Sequence, residues 1–389
     1  MAYLVSPLIL CRQYRSRALP RLKGYTRNIA RTTNNTARFY ITDMKALIFD
    51  GVGKIKVVDK EKPKVQDPAD AVLKMVRTTI CGSDLHIIRG HVPTVPNGRT
   101  IGHEGIGIVE EIGAEVKGVK KGDKVLIACI TSCSTCSFCR KSMNDQCKRG
   151  GWTLGNSNDG TQAEYVRIPF ADSNLYPVPE GADERSLLVY SDILPTGLEV
   201  ATLRGGVKPG CSVAIVGAGP VGLACAITAQ LYSPRTIVFF DKDENRLEVA
   251  KSIGATDCIN PTKGDVREQA SKYFGEIDGF DVVVEAVGVP ATFKMCQDLV
   301  GVGGHLANVG VHGTKVELDI DRLWPRSTTI SMALVSAHTI PLLLELFAAG
   351  KLDTSAMITH DFKFDDIEKA YDVFERAAET KALKVNIEF

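Results

Sequence analysis

The chain has 389 residues, of which 44% are hydrophobic and 24% charged, and its net charge at pH 7 is +1. The length predicts two domains rather than one. The balance of acidic and basic residues excludes the broad basic surface that nucleic acid or an anionic membrane would need. No apolar run approaches the roughly 20 residues that cross a bilayer. The composition is typical of a soluble globular protein.

Residues 1–42 differ in composition from the rest of the chain. They contain seven arginines and one lysine but no Asp or Glu, and Ser and Thr are frequent. This composition is typical of a mitochondrial transit peptide, and Arg38-Phe39-Tyr40 resembles a matrix processing site. We therefore predict a transit peptide over 1–42 and a location in the mitochondrial matrix. The alternative is a basic arm without targeting information on a cytoplasmic protein.

The pattern of predicted elements changes twice after Met44. Up to about residue 175, short β-rich segments such as AVLKMVRTTI are separated by Gly, Pro and Asp, which predicts an irregular all-β region. From about 194 to 334, strands alternate with helices, which predicts a parallel α/β sheet. After 335, two helices and the strand ALKVNIEF close the chain.

A glycine turn opens the α/β region. The sequence GAGPVG (217–222) follows the apolar run VAIV and begins a helix, and Asp241 ends the next strand. This order predicts a dinucleotide site: Gly217 permits the tight turn, Gly219 lets the backbone approach the pyrophosphate, and Gly222 allows close packing. The Asp241 carboxylate can bind both ribose hydroxyls and repels a 2′-phosphate, which favours NAD over NADP. The alternative is a glycine turn without a ligand.

Four cysteines crowd into one short loop. Their spacing is typical of a zinc site whose four thiolates close a tetrahedral shell, and the ligands are Cys133, Cys136, Cys139 and Cys147. Because such a shell leaves no position for substrate, we predict a structural zinc. An iron–sulfur cluster is the rival, but the loop does not end in the Cys-Pro of bacterial ferredoxins.

Two further motifs lie in the β-rich region, CGSDLH (81–86) and GHE (102–104). Together with GHEGIGIVEEIG, the cysteine loop, GAGPVG with its Asp, and LKVNIEF, they resemble the zinc-dependent alcohol dehydrogenases of the medium-chain dehydrogenase/reductase superfamily, particularly the secondary-alcohol type. The resemblance covers Met44 to Phe389. It implies a GroES-like catalytic domain of residues 43–193 and 335–389, and a doubly wound Rossmann domain of residues 194–334, with the active site in the cleft between them.

The resemblance also implies a catalytic zinc. Its ligands match Cys81, His103 and Asp192, the last lying in the sequence YSDILPTG. Glu104 is either a neighbour of the zinc or an alternate ligand. Three protein ligands leave one position open for the substrate oxygen, where a Lewis acid lowers the pKa of an alcohol.

Four more residues receive roles from the resemblance. Ser83 takes the proton of the alcohol, and His86 passes it to solvent through the nicotinamide ribose. Thr196 packs against the nicotinamide ring, and Lys384 lies near the pyrophosphate. Hydride passes between the alcohol and NAD, so the implied activity is reversible oxidation of an alcohol to a ketone or aldehyde. The resemblance further implies a homo-oligomer, with a tetramer ahead of a dimer.

The substrate is predicted less directly. Cys129 and Ile130 precede the cysteine loop, and Trp152 follows it, where relatives line their pockets. A small and a bulky residue here favour short-chain secondary alcohols, although Trp152 could equally pack in the core. The nearest alternatives are a polyol or threonine dehydrogenase, followed by a zinc-free quinone reductase. A nucleic-acid-binding zinc ribbon and a non-enzymatic NAD-sensing protein are the alternatives from other classes.

Overall fold

The structure, a computed structural model, describes residues 43–389, so the predicted transit peptide at 1–42 lies outside the described residues. Fifteen strands lie in the described part of the chain. They are β1 (Asp43–Phe49), β2 (Ile55–Glu61), β3 (Ala71–Thr79), β4 (Gly105–Ile112), β5 (Lys124–Ile127), β6 (Tyr165–Ile168), β7 (Leu175–Pro177), β8 (Ser212–Val216), β9 (Thr236–Phe240), β10 (Asp257–Ile259), β11 (Phe280–Glu285), β12 (Val300–Asn308), β13 (Thr329–Met332), β14 (Ile358–Lys363) and β15 (Lys384–Glu388).

Helices connect these strands. The α-helices are α1 (Gly82–Ile88), α2 (Ala171–Asn174), α3 (Glu184–Leu187), α4 (Ile193–Thr196), α5 (Pro220–Gln230), α6 (Glu244–Ser252), α7 (Val266–Ala270), α8 (Pro290–Leu299), α9 (Ile320–Leu323), α10 (Ile340–Ala348), α11 (Ile367–Glu375) and α12 (Ala377–Thr380). Short 3₁₀ turns span Cys139–Lys141, Asn144–Gln146, Leu188–Tyr190, Pro261–Lys263, Ser271–Tyr273, Gly275–Ile277, Trp324–Arg326, Ser355–Met357 and Phe364–Asp366. None of the helices described here is long and apolar enough to cross a membrane.

Strands β8 to β13 form the predicted parallel sheet. Its strand order is β10-β9-β8-β11-β12-β13, and every pair in it is parallel. Strand β8 is buried at all its positions, as expected for a strand covered by helices on both faces. The order reverses between β8 and β11, and ligands of such sheets bind at the carboxyl ends of the strands at this reversal. The glycine turn after β8 lies there.

The remaining strands form a mostly antiparallel sheet and a hairpin. The sheet has the order β14-β15-β3-β4-β5-β7, with β6 also paired to β3, while β1 pairs with β2. The last strand, β15, lies antiparallel to β3, so the end of the chain returns to the first sheet. This arrangement confirms the predicted combination of a β-rich part with a doubly wound parallel sheet. The exact domain boundaries at 193/194 and 334/335 stay predictions.

One part of the β-rich region was predicted wrongly. Residues Gly82–Ile88 are helical rather than extended. The Asp84 side chain accepts a hydrogen bond of 2.9 Å from the Cys81 amide at the start of this helix, which satisfies one of the free amides of its first turn. The helix has only seven residues, too few for an apolar pattern of helical period to show in the sequence.

The chain crosses from the first sheet to the second through α4 and a π-helix, Gly197–Leu203. Glu199 in this π-helix is buried, and it accepts hydrogen bonds from the backbone amides of Ser336, Ala337 and Thr339. The segment around Ser336 is where the chain crosses back. Glu199 therefore joins the two crossings, and α4 begins directly after Asp192.

Candidate active site and metal centres

Helix α1 places two of the predicted proton-transfer residues. Ser83 and His86 are three residues apart, so they lie on one face of the helix. The Ser83 hydroxyl is 3.5 Å from Nε2 of His103. The predicted proton acceptor therefore lies next to a predicted metal ligand, as the chemistry requires.

Four predicted ligands converge at this point. Their ligand atoms all lie within 4.8 Å of one another, and we call them the mixed-ligand cluster: Cys81, His103, Glu104 and Asp192. Oδ2 of Asp192 is 3.3 Å from Nε2 of His103 and 3.6 Å from Sγ of Cys81. Bond lengths of about 2.0 Å to nitrogen or oxygen and 2.3 Å to sulfur give tetrahedral edges of about 3.3 to 3.5 Å. The spacing therefore fits a zinc ion.

The fourth member of the cluster is paired with a lysine. The ammonium of Lys384 lies 2.5 Å from Oε1 of Glu104 and donates to the Ile80 carbonyl, and both charged side chains are buried. Burial raises the pKa of Glu104, while the Lys384 charge opposes that shift. Oε1 of Glu104 is also 3.8 Å from Nε2 of His103, a position that suits either a neighbour of the metal or an alternate ligand. The pyrophosphate role of Lys384 stays a prediction.

Asp192 is held as a carboxylate. Burial alone raises the pKa of its carboxyl, but the hydrogen bond and charge of His103 bring that pKa below its ordinary value. The Thr196 hydroxyl donates to Oδ1 of Asp192 at 3.0 Å, one turn further along α4. Thr196 therefore orients Asp192, and its predicted contact with the nicotinamide ring stays a prediction.

Sequence reasoning missed Asp84, which is fully buried beneath the cluster. Its Oδ1 lies 3.8 Å from Nδ1 of His103, and neither atom has a hydrogen-bond partner among the described residues. Its Oδ2 accepts from Cys81 and Gln162. A carboxylate behind a ligating histidine orients the ring and raises its basicity. The signal in the sequence was an acidic residue three positions after Cys81, within a motif of predicted ligands. Because charged side chains are rarely buried without a partner, this residue could have been assigned to one of the ligands.

The four predicted structural ligands form a separate group in the four-cysteine loop (133–147). All four Sγ atoms lie within 4.8 Å of one another, and those of Cys136 and Cys139 are 3.5 Å apart. Zinc–sulfur bonds of about 2.3 Å predict edges of about 3.8 Å, so this spacing also fits zinc.

Two thiols of this loop ionise more readily than an ordinary cysteine, and a third ionises less readily. Burial opposes ionisation of Cys133, yet hydrogen bonds from the Thr135 hydroxyl and amide lower its pKa to about 5. Amide hydrogen bonds from Cys139 and Lys148 lower the pKa of Cys136 to about 7. Burial and the neighbouring thiols raise the pKa of Cys139 to about 12. Four thiolates this close need a cation to hold them together, because their charges repel one another.

The glycine turn has the geometry that dinucleotide binding needs. Gly217 has φ +107°, and a Cβ at Gly222 would lie 1.9 Å from the Gly217 carbonyl oxygen. Both positions therefore require glycine. Oδ2 of Asp241 accepts a hydrogen bond of 2.7 Å from the Ala218 amide, which places the carboxylate at the turn. Gly219 is the N-cap residue of α5, whose free amides favour phosphate.

A cation next to this turn was not predicted from the sequence. A Cβ at Gly219 would lie 3.5 Å from Nη1 of Arg246, so the guanidinium flanks the turn that carries Asp241. Nε of Arg246 is buried and has no hydrogen-bond partner among the described residues. The turn is thus flanked by the Asp241 carboxylate and the Arg246 guanidinium. Because a 2′-phosphate is repelled by the first and attracted by the second, both residues influence the preference for NAD or NADP.

The predicted pocket residues lie beside the cluster. Cys129 and Ile130 are buried, and burial, with the charge of Asp192 next, raises the pKa of the Cys129 thiol. The Trp152 ring meets His103 edge-on with the centroids 6.3 Å apart. Trp152 also packs against two apolar clusters of the core. Its position therefore combines core packing with contact to a predicted zinc ligand.

Known proteins share both halves of this architecture. Residues 67–180 match the alcohol dehydrogenase GroES-like domain, and residues 220–349 match the zinc-binding dehydrogenase family. An alcohol dehydrogenase of Cupriavidus necator is 33% identical over 351 residues, covering 85% of this chain and 95% of the relative. An L-threonine 3-dehydrogenase of Shewanella baltica is 32% identical over 323 residues, covering 82% of this chain and 92% of the relative.

A solved structure agrees with these relatives. The apo form of zinc-dependent alcohol dehydrogenase 2 from Streptococcus pneumoniae superposes with a TM-score of 0.83 at 48% identity, covering 89% of this chain and 98% of the other. The chain therefore belongs to the zinc-dependent alcohol dehydrogenases of the medium-chain dehydrogenase/reductase superfamily. It is an oxidoreductase of a family that uses zinc and a nicotinamide dinucleotide, which confirms the resemblance found in the sequence.

Proposed function

We propose that this enzyme oxidises short-chain secondary alcohols to ketones with NAD and catalyses the reverse reduction. The observation that carries the proposal is the convergence of Cys81, His103 and Asp192 next to Ser83. The active site would lie in the cleft between a catalytic domain of residues 43–193 and 335–389 and an NAD domain of residues 194–334.

Each group in the cleft would have a distinct task. Cys81, His103 and Asp192 would hold one zinc, and Asp84 would keep the His103 ring aligned. When bound, zinc supplies Lewis-acid polarisation of the substrate oxygen, and NAD accepts the hydride. The Ser83 hydroxyl takes the proton of the alcohol, and His86 carries it towards solvent.

The substrate class rests on the size of the pocket residues. Cys129 is small and buried, and Trp152 is bulky and lies against His103. We infer that a small residue and a bulky one near the predicted zinc ligands favour a short branched chain over a long hydroxylated chain. A threonine dehydrogenase is the second candidate, because one of the relatives carries that name at similar identity.

A substrate panel tests this proposal. Primary alcohols, secondary alcohols, polyols and threonine would each be offered with NAD and with NADP, and the rate of formation of the reduced cofactor measured. We expect the highest kcat/KM with a short secondary alcohol and NAD. A higher kcat/KM for threonine or a polyol would replace the proposed substrate class and leave the reaction type intact.

The preference for NAD would come from Asp241. In Asp241→Gly the repulsion of a 2′-phosphate disappears and Arg246 can pair with it, so kcat/KM for NADP relative to NAD should rise about 10- to 100-fold. The double variant Asp241→Gly/Arg246→Gln should lose most of this gain. An unchanged ratio in the single variant would show that Asp241 does not select the cofactor.

We also propose a homo-oligomer built through the parallel sheet. Strand β13 is the edge of that sheet, and large apolar side chains near it are exposed, with Trp324 at 73% and Met332 at 65%. An edge strand with exposed apolar neighbours invites pairing with a second copy. Light scattering at micromolar concentration should give a dimer or tetramer, and a monomer would contradict the proposal.

The composition of residues 1–42 supports a mitochondrial location. A fusion of these residues to a fluorescent protein should accumulate in mitochondria. A fusion in which their arginines are replaced by glutamine should not, because import signals depend on positive charge. An even cytoplasmic distribution of the first fusion would favour the basic arm without targeting information.

A further inference from the structure

Helix α1 ends in a Schellman motif that brings two histidines together. The Gly90 amide donates to the Ile87 carbonyl and the His91 amide donates to the His86 carbonyl, both at 2.9 Å, and this pair of hydrogen bonds defines the motif. Gly90 has φ +76°, and a Cβ there would lie 2.9 Å from Cγ2 of Val52, so the turn requires glycine. The backbone therefore fixes His91 beside His86.

The two imidazole rings are in hydrogen-bond contact. Nδ1 of His86 lies 3.0 Å from Nδ1 of His91, with the ring centroids 5.3 Å apart. These two positions of a Schellman motif usually carry an apolar pair, whereas here both side chains titrate. One Nδ1 must donate while the other accepts, so the protonation states of the two rings depend on each other. His86 is half-buried and His91 is exposed, so the two rings connect the interior of the protein with solvent.

We propose that His91 is a second relay histidine, through which the proton leaves His86 for solvent. This inference rests on the proposed function, in which Ser83 and His86 take up the proton of the alcohol. Nε2 of His86 accepts that proton, Nδ1–H of His86 passes its proton to Nδ1 of His91, and Nε2–H of His91 releases its proton to water or buffer. One proton enters the pair and one leaves it. Ketone reduction uses the same steps in reverse, and exchange with solvent restores the starting tautomers.

His91 is also a positioning residue, because it acts through His86. As the acceptor at Nδ1, it holds the neutral His86 in the tautomer whose Nε2 is free to take a proton. Among residues 43–389, no other side chain bonds to His86 and selects its tautomer. His91→Leu should keep the backbone of the Schellman motif. It should lose only the selection of the His86 tautomer and the path for the proton from His86 to solvent.

The surroundings favour release of the proton from His86. Burial lowers the pKa of His86, and the nearby His91 and Arg89 lower it further. Nη2 of Arg89 lies 3.6 Å from Oε1 of Glu375 in α11, which moderates its charge. From the opposite side of the cleft, a Cβ at Gly313 would lie 3.7 Å from Nδ1 of His91, and glycine adds no charge there. A proton that arrives on His86 is therefore passed on rather than retained.

Single-turnover proton release tests the relay. The zinc-loaded enzyme would be mixed with NAD and alcohol in weak buffer, with an indicator dye reporting protons and absorbance reporting NADH. His91→Leu should slow proton release about 10- to 100-fold and leave NADH binding unchanged, and added imidazole should restore the rate. His360→Gln is the matched control, since His360 bonds only to its neighbour Thr359 among the described residues and should release protons normally.

Histidine NMR adds a readout that is independent of turnover. In His91→Leu the imidazole ¹⁵N shifts of neutral His86 should show a loss of the tautomer protonated at Nδ1, because its acceptor is gone, while the ¹⁵N shifts of the other histidines stay unchanged. Proton release at the normal rate in His91→Leu without added imidazole, or unchanged ¹⁵N shifts of His86, overturns the inference. His86→Gln separates the two proposals: if it also releases protons normally, the relay of the proposed function fails, and if it is slow while His91→Leu is normal, only the role of His91 fails.

Discussion

The four-cysteine loop and the mixed-ligand cluster assemble metal ligands in two different ways. The loop takes all four ligands from 15 consecutive residues, with only two 3₁₀ turns between them. The cluster takes its ligands from the start of α1, from the segment before β4 and from the first crossing between the sheets. Its side chains also bind protein partners, such as Lys384 and Thr196.

The two sites should therefore differ in whether their folded structure depends on a bound metal. The side chains of the cluster are held by hydrogen bonds and an ion pair to protein partners such as Thr196 and Lys384, so the fold should keep its shape when the metal leaves. The loop has thiols that repel one another once ionised and little regular structure, so metal binding should be coupled to its folding. Substitution of one ligand at each site should therefore have different effects on turnover and stability.

The largest effect is expected from Asp192→Ala. Turnover should fall roughly 1000-fold or more, because the several kcal/mol that Lewis-acid stabilisation contributes depend on the intact site. Stability and NADH affinity should change little, since Cys81 and His103 remain in place. Turnover, zinc content, melting temperature and NADH affinity would be measured together. Near-normal turnover with a secondary alcohol would contradict the assignment of Asp192 and make Glu104 the next ligand to test.

Cys136→Ser should mainly affect stability. Loss of one thiolate opens the closed shell, so the protein should lose one zinc per subunit and about 2–4 kcal/mol of unfolding free energy, or roughly 3–6 °C in melting temperature. Activity should fall mainly because folded protein is lost. Cys258→Ser, a cysteine outside both ligand groups, serves as the control. A variant that keeps its melting temperature but loses turnover would reverse the roles of the two sites.

The contrast between ligands from one short loop and ligands from distant segments also explains what the sequence could predict. The cysteine spacing and the glycine turn followed by Asp241 are local patterns, and both were predicted from residues close together in the chain. Asp192 was identified only by resemblance, because its partner His103 lies 89 residues away. Glu199 was not predicted at all, since its partners begin 137 residues further on and a π-helix differs from an α-helix by too little to show in an apolar pattern.

The two metal sites are nevertheless connected through the crossings. The Ser336 hydroxyl donates to Asp145 of the four-cysteine loop at 2.5 Å, and the Ser336 amide donates to Glu199 at 2.8 Å. Glu199 lies seven residues after Asp192, in the π-helix that continues α4. Loss of structure in the four-cysteine loop would therefore break these hydrogen bonds and disturb the segment that follows Asp192. This contact explains why some loss of activity in Cys136→Ser can come from the crossing as well as from unfolding.

The smallest effect is a pH dependence of this connection. Nδ1 of His338 lies 3.2 Å from Oε1 of Glu199, and this hydrogen bond raises the pKa of His338. Burial opposes ionisation of Glu199, but His338 lowers the pKa of that carboxyl. The histidine contribution is complete below its unfolded pKa of about 6.5 and is lost as the pH rises through its higher folded pKa. The Glu199 contribution is complete above about 4.5 and is lost as the pH falls through its lower folded pKa.

The pair should therefore stabilise the protein most between about pH 4.5 and 6.5. Raising the pH to 8.5 should remove less than about 1 kcal/mol, because the His338 side chain is 36% exposed and solvent screens its charge. Glu199 then still accepts the hydrogen bonds of Ser336, Ala337 and Thr339, so the crossing stays closed. Melting temperatures of the zinc-loaded protein at pH 6 and 8.5 would be compared for the parent, His338→Gln and the control His360→Gln. The parent and the control should lose up to about 1 °C more than His338→Gln, and an equal loss in all three would show that His338 does not stabilise the connection between the two sites.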